Sequence, residues 1–373
     1  MVSRKLDGFT PASQLTLMRY LQGLHEAEPP SSPNSQARYH TGRLPNGRHA
    51  GSKPRLMLMG QKRSGKSSIS SVVFHKMPPS ETLYLETTTA IQSRSLHSFM
   101  DFQVAELPGH LDYFNPEFDQ ASIFGDIGAL IWVIDAQDEY LDAINQLNNT
   151  IIYLSTTYPA INIEIFVHKV DGLSEDYKND TFRDIIQRVQ DELSDAGYEN
   201  PPVSFYQTSI YNHTIFEAIS KVIQKLIPQL PALESLLNSL CSSCRIEKAF
   251  LFDIPSKIYV ATDTSPTDTS SYEVCSDYID VIVDLEEIYG WDRSVENGYS
   301  MEERDETGNG DSESLVTMEK KGHNYLYLKE INRYLALICL MGEDSPAEKK
   351  VLIDYNVGVF QEAIEKIFPR NDR

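Results

Sequence analysis

The chain is short of cysteine, of long apolar runs and of positive charge, and each shortage closes off a class of function. Its four cysteines, at positions 241, 244, 275 and 339, are too few for a secreted disulfide framework. Cys241 and Cys244 have the CxxC spacing, but no second pair of ligands lies near them in the sequence. The expected reading is therefore two small residues one turn apart on a helix, not half of a zinc site. No apolar run approaches the roughly 20 residues that span a bilayer, and the best, Tyr334 to Met341, is under half of that. The first residues, Met-Val-Ser-Arg-Lys, hold no apolar signal core and no glycine for myristoylation, and the last, Pro-Arg-Asn-Asp-Arg, hold no prenylation cysteine. The expectation is no direct membrane insertion, with any membrane association made through a partner. A formal net charge of −21 argues against nucleic acid as a main partner. The charge is uneven, since residues 1–55 are net basic and the rest is strongly acidic.

What is present suits a globular protein of two to three domains: 41% apolar and 23% charged residues can build sizeable cores. Residues 1–54 read as a basic tail, with a short helix from Ala12 to Glu28 and then loop chemistry that predicts disorder. Over residues 55–231 apolar strands ("RLMLM", "DFQVAEL", "GALIWVID", "INIEIFVHKVD", "VSFYQTSI") alternate with amphipathic helices at 66–76, 139–157, 181–196 and 214–226. Alternation of this kind predicts an α/β domain with a mostly parallel sheet covered on both sides. Residues 232–373 read differently: a helix, two strands, a long helix from Ser271 to Tyr289, two more strands and a last helix. That pattern predicts a small α+β domain, interrupted by an acidic loop at about 292–322 expected to be disordered.

The chemistry is concentrated in Gly60-Gln61-Lys62-Arg63-Ser64-Gly65-Lys66-Ser67, which is GxxxxGKS set between a strand and a helix. The glycines let backbone N–H groups turn inward, and the helix start adds partial positive charge. Arg63, Ser64, Gly65, Lys66, Ser67 and Ser68 are expected to cradle a nucleoside triphosphate. Lys66 faces the β/γ-phosphates and the Ser67 hydroxyl can ligate Mg²⁺. Further along, His168-Lys169-Val170-Asp171 follows a strand. A carboxylate at Asp171 accepts both hydrogens of the guanine N1/N2 edge, which adenine does not offer. Ser209 and the Ile210 N–H, in "QTSIY", can reach guanine O6. The expected ligands are GTP or GDP with Mg²⁺.

These stretches, with "ETLYLETT", "ELPGH", "GALIWVIDAQDEY" and "VIQKLIPQLP", resemble the Rag family of small GTPases, specifically its C/D-type subunit and fungal counterpart. The likeness runs from about Pro54 to Phe368. It implies a Ras-like G domain followed by a roadblock-type domain, and a heterodimer with an A/B-type Rag subunit through the second. It also implies a lipidated scaffold at the vacuolar or lysosomal surface, an otherwise cytoplasmic chain recruited there through partners, and signalling of amino-acid sufficiency to TORC1. By this resemblance Thr88 is the threonine that ligates Mg²⁺ in the GTP state, Thr82 lies close to the nucleotide, Glu106 holds Mg²⁺ through water, and Gly109 offers its N–H to the γ-phosphate. The sequence departs from the small-GTPase pattern at three positions. Glu106 replaces an aspartate, His110 replaces the water-positioning glutamine, and His168 replaces the asparagine that ties the phosphate loop to the base loop. His110 predicts slow intrinsic hydrolysis, with the arginine finger supplied by a GTPase-activating protein. It equally fits a pseudo-GTPase scaffold that holds nucleotide without significant turnover. A P-loop kinase or ATPase of small molecules would need acceptor-binding arginines and a lid, and the sequence offers neither.

Overall fold

The computed structural model describes residues 54–96, 98–111, 113–114, 118–198, 203–289, 313–318, 324–332, 334–342 and 346–368. The expected basic tail and its helix lie outside the described residues. By internal contacts the chain divides into two compact units, one ending at Leu226 and one running on from Ile227.

In the first unit, six strands form a sheet ordered β2-β3-β1-β4-β5-β6: β1 (Arg55–Met59), β2 (Gln92–Leu96), β3 (Phe102–Glu106), β4 (Ile127–Asp135), β5 (Asn162–His168) and β6 (Val203–Thr208). All ladders are parallel except that of β2 with β3. Among the described residues, five α-helices accompany it: α1 (Lys66–His75), α2 (Gln120–Phe124), α3 (Leu141–Thr157), α4 (Glu175–Asp195) and α5 (Thr214–Gln224). β4 lies at the centre, and every residue from Ile127 to Ile134 is buried, as a strand covered on both faces requires. α3 turns Ala143, Ile144, Leu147, Ile151 and Leu154 onto the same core. This is the Ras-like arrangement that the resemblance implies.

Two elements carried no expectation from the sequence, and the start of one helix is corrected. β2 was not legible because "QSRSL" is an edge strand with Gln92 to Ser95 exposed, so no apolar alternation marks it. α2 is a single short turn. α4 begins at Glu175 rather than Thr181, since its first turn is polar and carries Glu175 and Asp176 where the helix dipole favours acidic charge.

The second unit contains α6 (Leu230–Cys244), β7 (Lys248–Asp253), β8 (Ile258–Thr262), α7 (Thr269–Tyr289), β9 (Glu313–Met318), β10 (Asn324–Glu330), β11 (Leu335–Met341) and α8 (Pro346–Ile367). Its sheet, ordered β8-β7-β11-β10-β9, is antiparallel throughout, consistent with the roadblock-type domain that the resemblance implies. β9 corrects the expected disorder at 292–322: residues 313–318 form an edge strand paired with β10 from Asn324↔Met318 to Lys329↔Glu313. The rest of that loop lies outside the described residues. Phe250, Phe252 and Tyr259 form an aromatic cluster with Tyr272 of α7. Lys248 is buried, and its ammonium donates to the carbonyls of Asp263 (3.1 Å) and Ser265 (2.7 Å). No disulfide joins the four cysteines, and Cys241 and Cys244 sit one turn apart on α6.

Candidate nucleotide site

β1 stops at Met59 because the chain must turn at once. Gly60 has φ 133°, and a Cβ there would lie 2.3 Å from the Val133 carbonyl oxygen. Only glycine fits that approach. Gly65, at φ 106°, caps the start of α1, and a Cβ on it would meet the His168 ring at 2.6 Å. The loop between these glycines curls around the Lys66 ammonium, which donates to the Gly60 (2.9 Å) and Gln61 (2.7 Å) carbonyls. Burial pushes the Lys66 ammonium down to about 8, with Glu106 pulling the other way. A buried cation on a helix start, short of counter-charge, is an anion site.

Beside it three oxygens converge from three separate elements. Ser67 Oγ donates to Glu106 Oε1 at 2.5 Å, Thr88 Oγ1 donates to the same oxygen at 2.8 Å, and the two hydroxyl oxygens are 2.9 Å apart. Ser67 comes from α1, Glu106 from the end of β3, and Thr88 from the irregular stretch 85–91. Two hydroxyls and a carboxylate are the hard oxygen donors that suit Mg²⁺. Only the resemblance had singled out Thr88, and the geometry places it with the other two.

The base end is built after β5. Ser209 Oγ donates to Asp171 Oδ1 at 2.5 Å, leaving the second carboxylate oxygen of this exposed residue for another donor. Lys169, in the left-handed conformation (φ 60°), donates to the Arg63 carbonyl (2.9 Å) and to Asp135 Oδ2 (2.5 Å). His168, at the end of β5, stands between the phosphate loop and β6. Its Nδ1 bonds Thr208 Oγ1 at 2.9 Å and its ring packs on Gly65, so the hydrogen bond that ties the two loops comes from Lys169.

Burial pushes the His168 imidazole from 6.5 down to about 4, the Lys169 charge adding to the effect and Asp171 opposing it. The ring is therefore neutral at neutral pH, and acid favours the unfolded chain, which binds the proton more readily. Relative to a His168→Asn variant, the chain should lose roughly 2–3 kcal/mol between those two pH values. Urea unfolding of both proteins in steps of pH measures it.

A cleft of about 520 Å³ collects these parts. Of the expected site residues, Arg63, Gly65, Lys66, Ser67, Ser68, Thr82, Thr88, Glu106, Gly109, His168, Lys169, Asp171 and Ile210 line it. Ser64 is buried with its hydroxyl unpartnered among the described residues, and Ser209 stands behind Asp171. Gly109 lies hard against the phosphate loop, where a Cβ would come within 2.4 Å of the Lys62 nitrogen. His110 is exposed and is not on the cleft wall. The sequence reading missed Gln137 and Tyr211, which also line the cleft, and Asp135, which pairs with Lys169. "AQDEY" carries no motif to mark the first, although its place at the end of the central strand could have done so.

A strand–loop–helix anion cradle, a hydroxyl–carboxylate cluster and a carboxylate-bearing base loop at the carboxyl ends of a parallel sheet define a P-loop protein of the G-domain type. The family described as "Gtr1/RagA G protein conserved region" matches residues 55–279. The chain is 55% identical over 317 residues to GTP-binding protein gtr2 of Schizosaccharomyces pombe, covering 85% of this chain and 98% of that protein. It is 52% identical over 320 residues to Ras-related GTP-binding protein C of Homo sapiens, covering 85% and 77%. To GTP-binding protein GTR2 of Saccharomyces cerevisiae it is 44% identical over 319 residues, covering 85% and 93%. The chain belongs to the Rag family of small GTPases, on its C/D-type side.

Proposed function

We propose that this chain is a guanine-nucleotide-dependent switch, the C/D-type subunit of a Rag heterodimer, with slow intrinsic GTP hydrolysis. The observation that carries the reading is the meeting of Ser67, Thr88 and Glu106. Thr88 belongs to an irregular stretch, and its hydroxyl joins that stretch to α1 and β3 through Ser67 and Glu106. The Lys66 ammonium and the amides that start α1 bind and orient the phosphates. Gly109 brings its loop against the phosphate loop, so its N–H can report the γ-phosphate. Asp171, aligned by Ser209, accepts from the guanine edge. Ser67 and Thr88, with Glu106 behind them, would hold Mg²⁺, whose charge would offset that of the phosphate oxygens.

The resemblance carries the reading further: the chain pairs with an A/B-type subunit through the second unit and relays amino-acid sufficiency to TORC1 at the vacuolar or lysosomal surface, where a lipidated scaffold holds the pair. Exposed apolar side chains one turn apart support a partner surface there, Val281 with Leu285 on α7 and Val351 with Tyr355 on α8. Among the described residues no helix is long and apolar enough to cross a membrane.

The place of His110 favours a second reading, a scaffold that binds GTP without useful turnover. Single-turnover hydrolysis separates the two. A switch enzyme should hydrolyse GTP slowly alone and about 10³-fold faster or more with an activating protein that supplies an arginine. A chain that never responds is the scaffold, and equal affinity for ATP and GTP sinks both.

A further inference from the structure

The end of β4 and the loop after it grip Lys169 from both ends. Asp135 Oδ2 takes its ammonium at 2.5 Å, and Gln137 Nε2 donates to its carbonyl at 2.7 Å. The loop itself is braced, because Asp135 Oδ1 accepts from the Gln137 N–H at 2.9 Å. The Ala136 N–H bonds the His168 carbonyl, also at 2.9 Å. What they grip is a residue with φ 60°, a left-handed backbone that a lysine adopts only when its surroundings impose it. Two positions beyond it stands the carboxylate that meets the base. The fit is close on the far side too: a Cβ on Gly172 would fall 2.1 Å from Gln137 Nε2, so the amide has its place only because residue 172 has no side chain.

We infer that Asp135 and Gln137 are positioning residues for base recognition: they hold Lys169 in its left-handed conformation, and so present Asp171, and thereby set how long a guanine nucleotide stays bound. The inference rests on the reading of Asp171 as the guanine acceptor. Asp135 touches no part of the nucleotide in this scheme, and acts through Lys169. The same ammonium reaches the Arg63 carbonyl, so a loosened Lys169 frees the base loop from the phosphate loop as well.

The test is release of fluorescent GDP from the full chain, wild type and variants, with the thermal midpoint of each ligand-free protein recorded beside it. Asp135→Asn should speed release about tenfold, the scale of one charge-assisted hydrogen bond. Asp135→Glu, which keeps the charge, should recover most of the slow release. The discriminating measurement is the Lys169→Met background, where Asp135→Asn should change release by less than about twofold because the partner is gone. Gly172→Ala, which displaces the flexible Gln137 amide without touching the base, should also speed release and carries the test if Asp135→Asn does not fold. Unchanged release in both Asp135→Asn and Gly172→Ala overturns the inference, as does full acceleration persisting without the lysine. Wild-type chain that releases ADP as slowly as GDP defeats the reading of Asp171 itself, and the inference with it.

Discussion

Asp171→Asn lowers affinity for GTP by about two to four orders of magnitude, the cost of two hydrogen bonds to a charged acceptor in one step. The same variant gains affinity for xanthosine triphosphate, because an amide offers a donor where xanthine carries a carbonyl. The structure makes the change nearly isosteric: Ser209 Oγ already fixes one oxygen at 2.5 Å, and the side chain is otherwise exposed. Folding should therefore be unaffected. Competition between fluorescent GDP and each triphosphate checks it. Loss of all nucleotide binding, or an unmoved preference for GTP, is incompatible with the role given to this carboxylate.

Lys66→Met acts in two opposite directions. Without the ammonium, triphosphate affinity falls by about 10²–10⁴-fold, since one buried cation serves several charged oxygens. The ligand-free chain, by contrast, becomes more stable by about 1–2 kcal/mol. The sign follows from the depressed lysine. A group whose folded pKa is near 8 and whose unfolded value is 10.5 penalises the folded state at neutral pH, and that penalty fades only as pH rises through this window. Methionine removes the penalty at the expense of the bonds to the Gly60 and Gln61 carbonyls. Calorimetric titration with GTP, paired with thermal unfolding of the ligand-free proteins at pH 7, reads both halves. A variant that loses affinity and stability together would mean the lysine is structural.

Much of this was legible in the sequence because burial leaves a periodic trace. The fully apolar "IGALIWVI" of β4 announces a strand covered on both faces, and the Ile215–Ile219–Val222–Ile223 stripe announces α5. Where an element meets water that trace vanishes. β2, β9 and the first turn of α4 escaped for that one reason: their residues answer to ladder partners or to a dipole, neither of which imposes a pattern on side chains. The site divides in the same way. Gly60, Gly65, Lys66 and Ser67 form a contiguous motif and could be named from spacing. Thr88 needed the resemblance, and Asp135 and Gln137 had no local mark, because they act on Lys169, distant in the chain, whereas Tyr211 directly follows the named Ile210 and was passed over. His168 was named as a site residue and lines the cleft, but its partner was not legible, since Thr208 lies 40 residues further along the chain.

The edge strand β2 has one more consequence. Gln92 is registered opposite Glu106, and Thr88 is four residues before Gln92. A fully extended leash of that length reaches at most about 14 Å. Whatever releases Thr88, the hydroxyl wanders within that radius of the sheet rim and returns on the timescale of short-loop closure, about 10–100 ns. Recapture by so short a tether is fast, and how long either state lasts is governed by hydrolysis and exchange of the nucleotide.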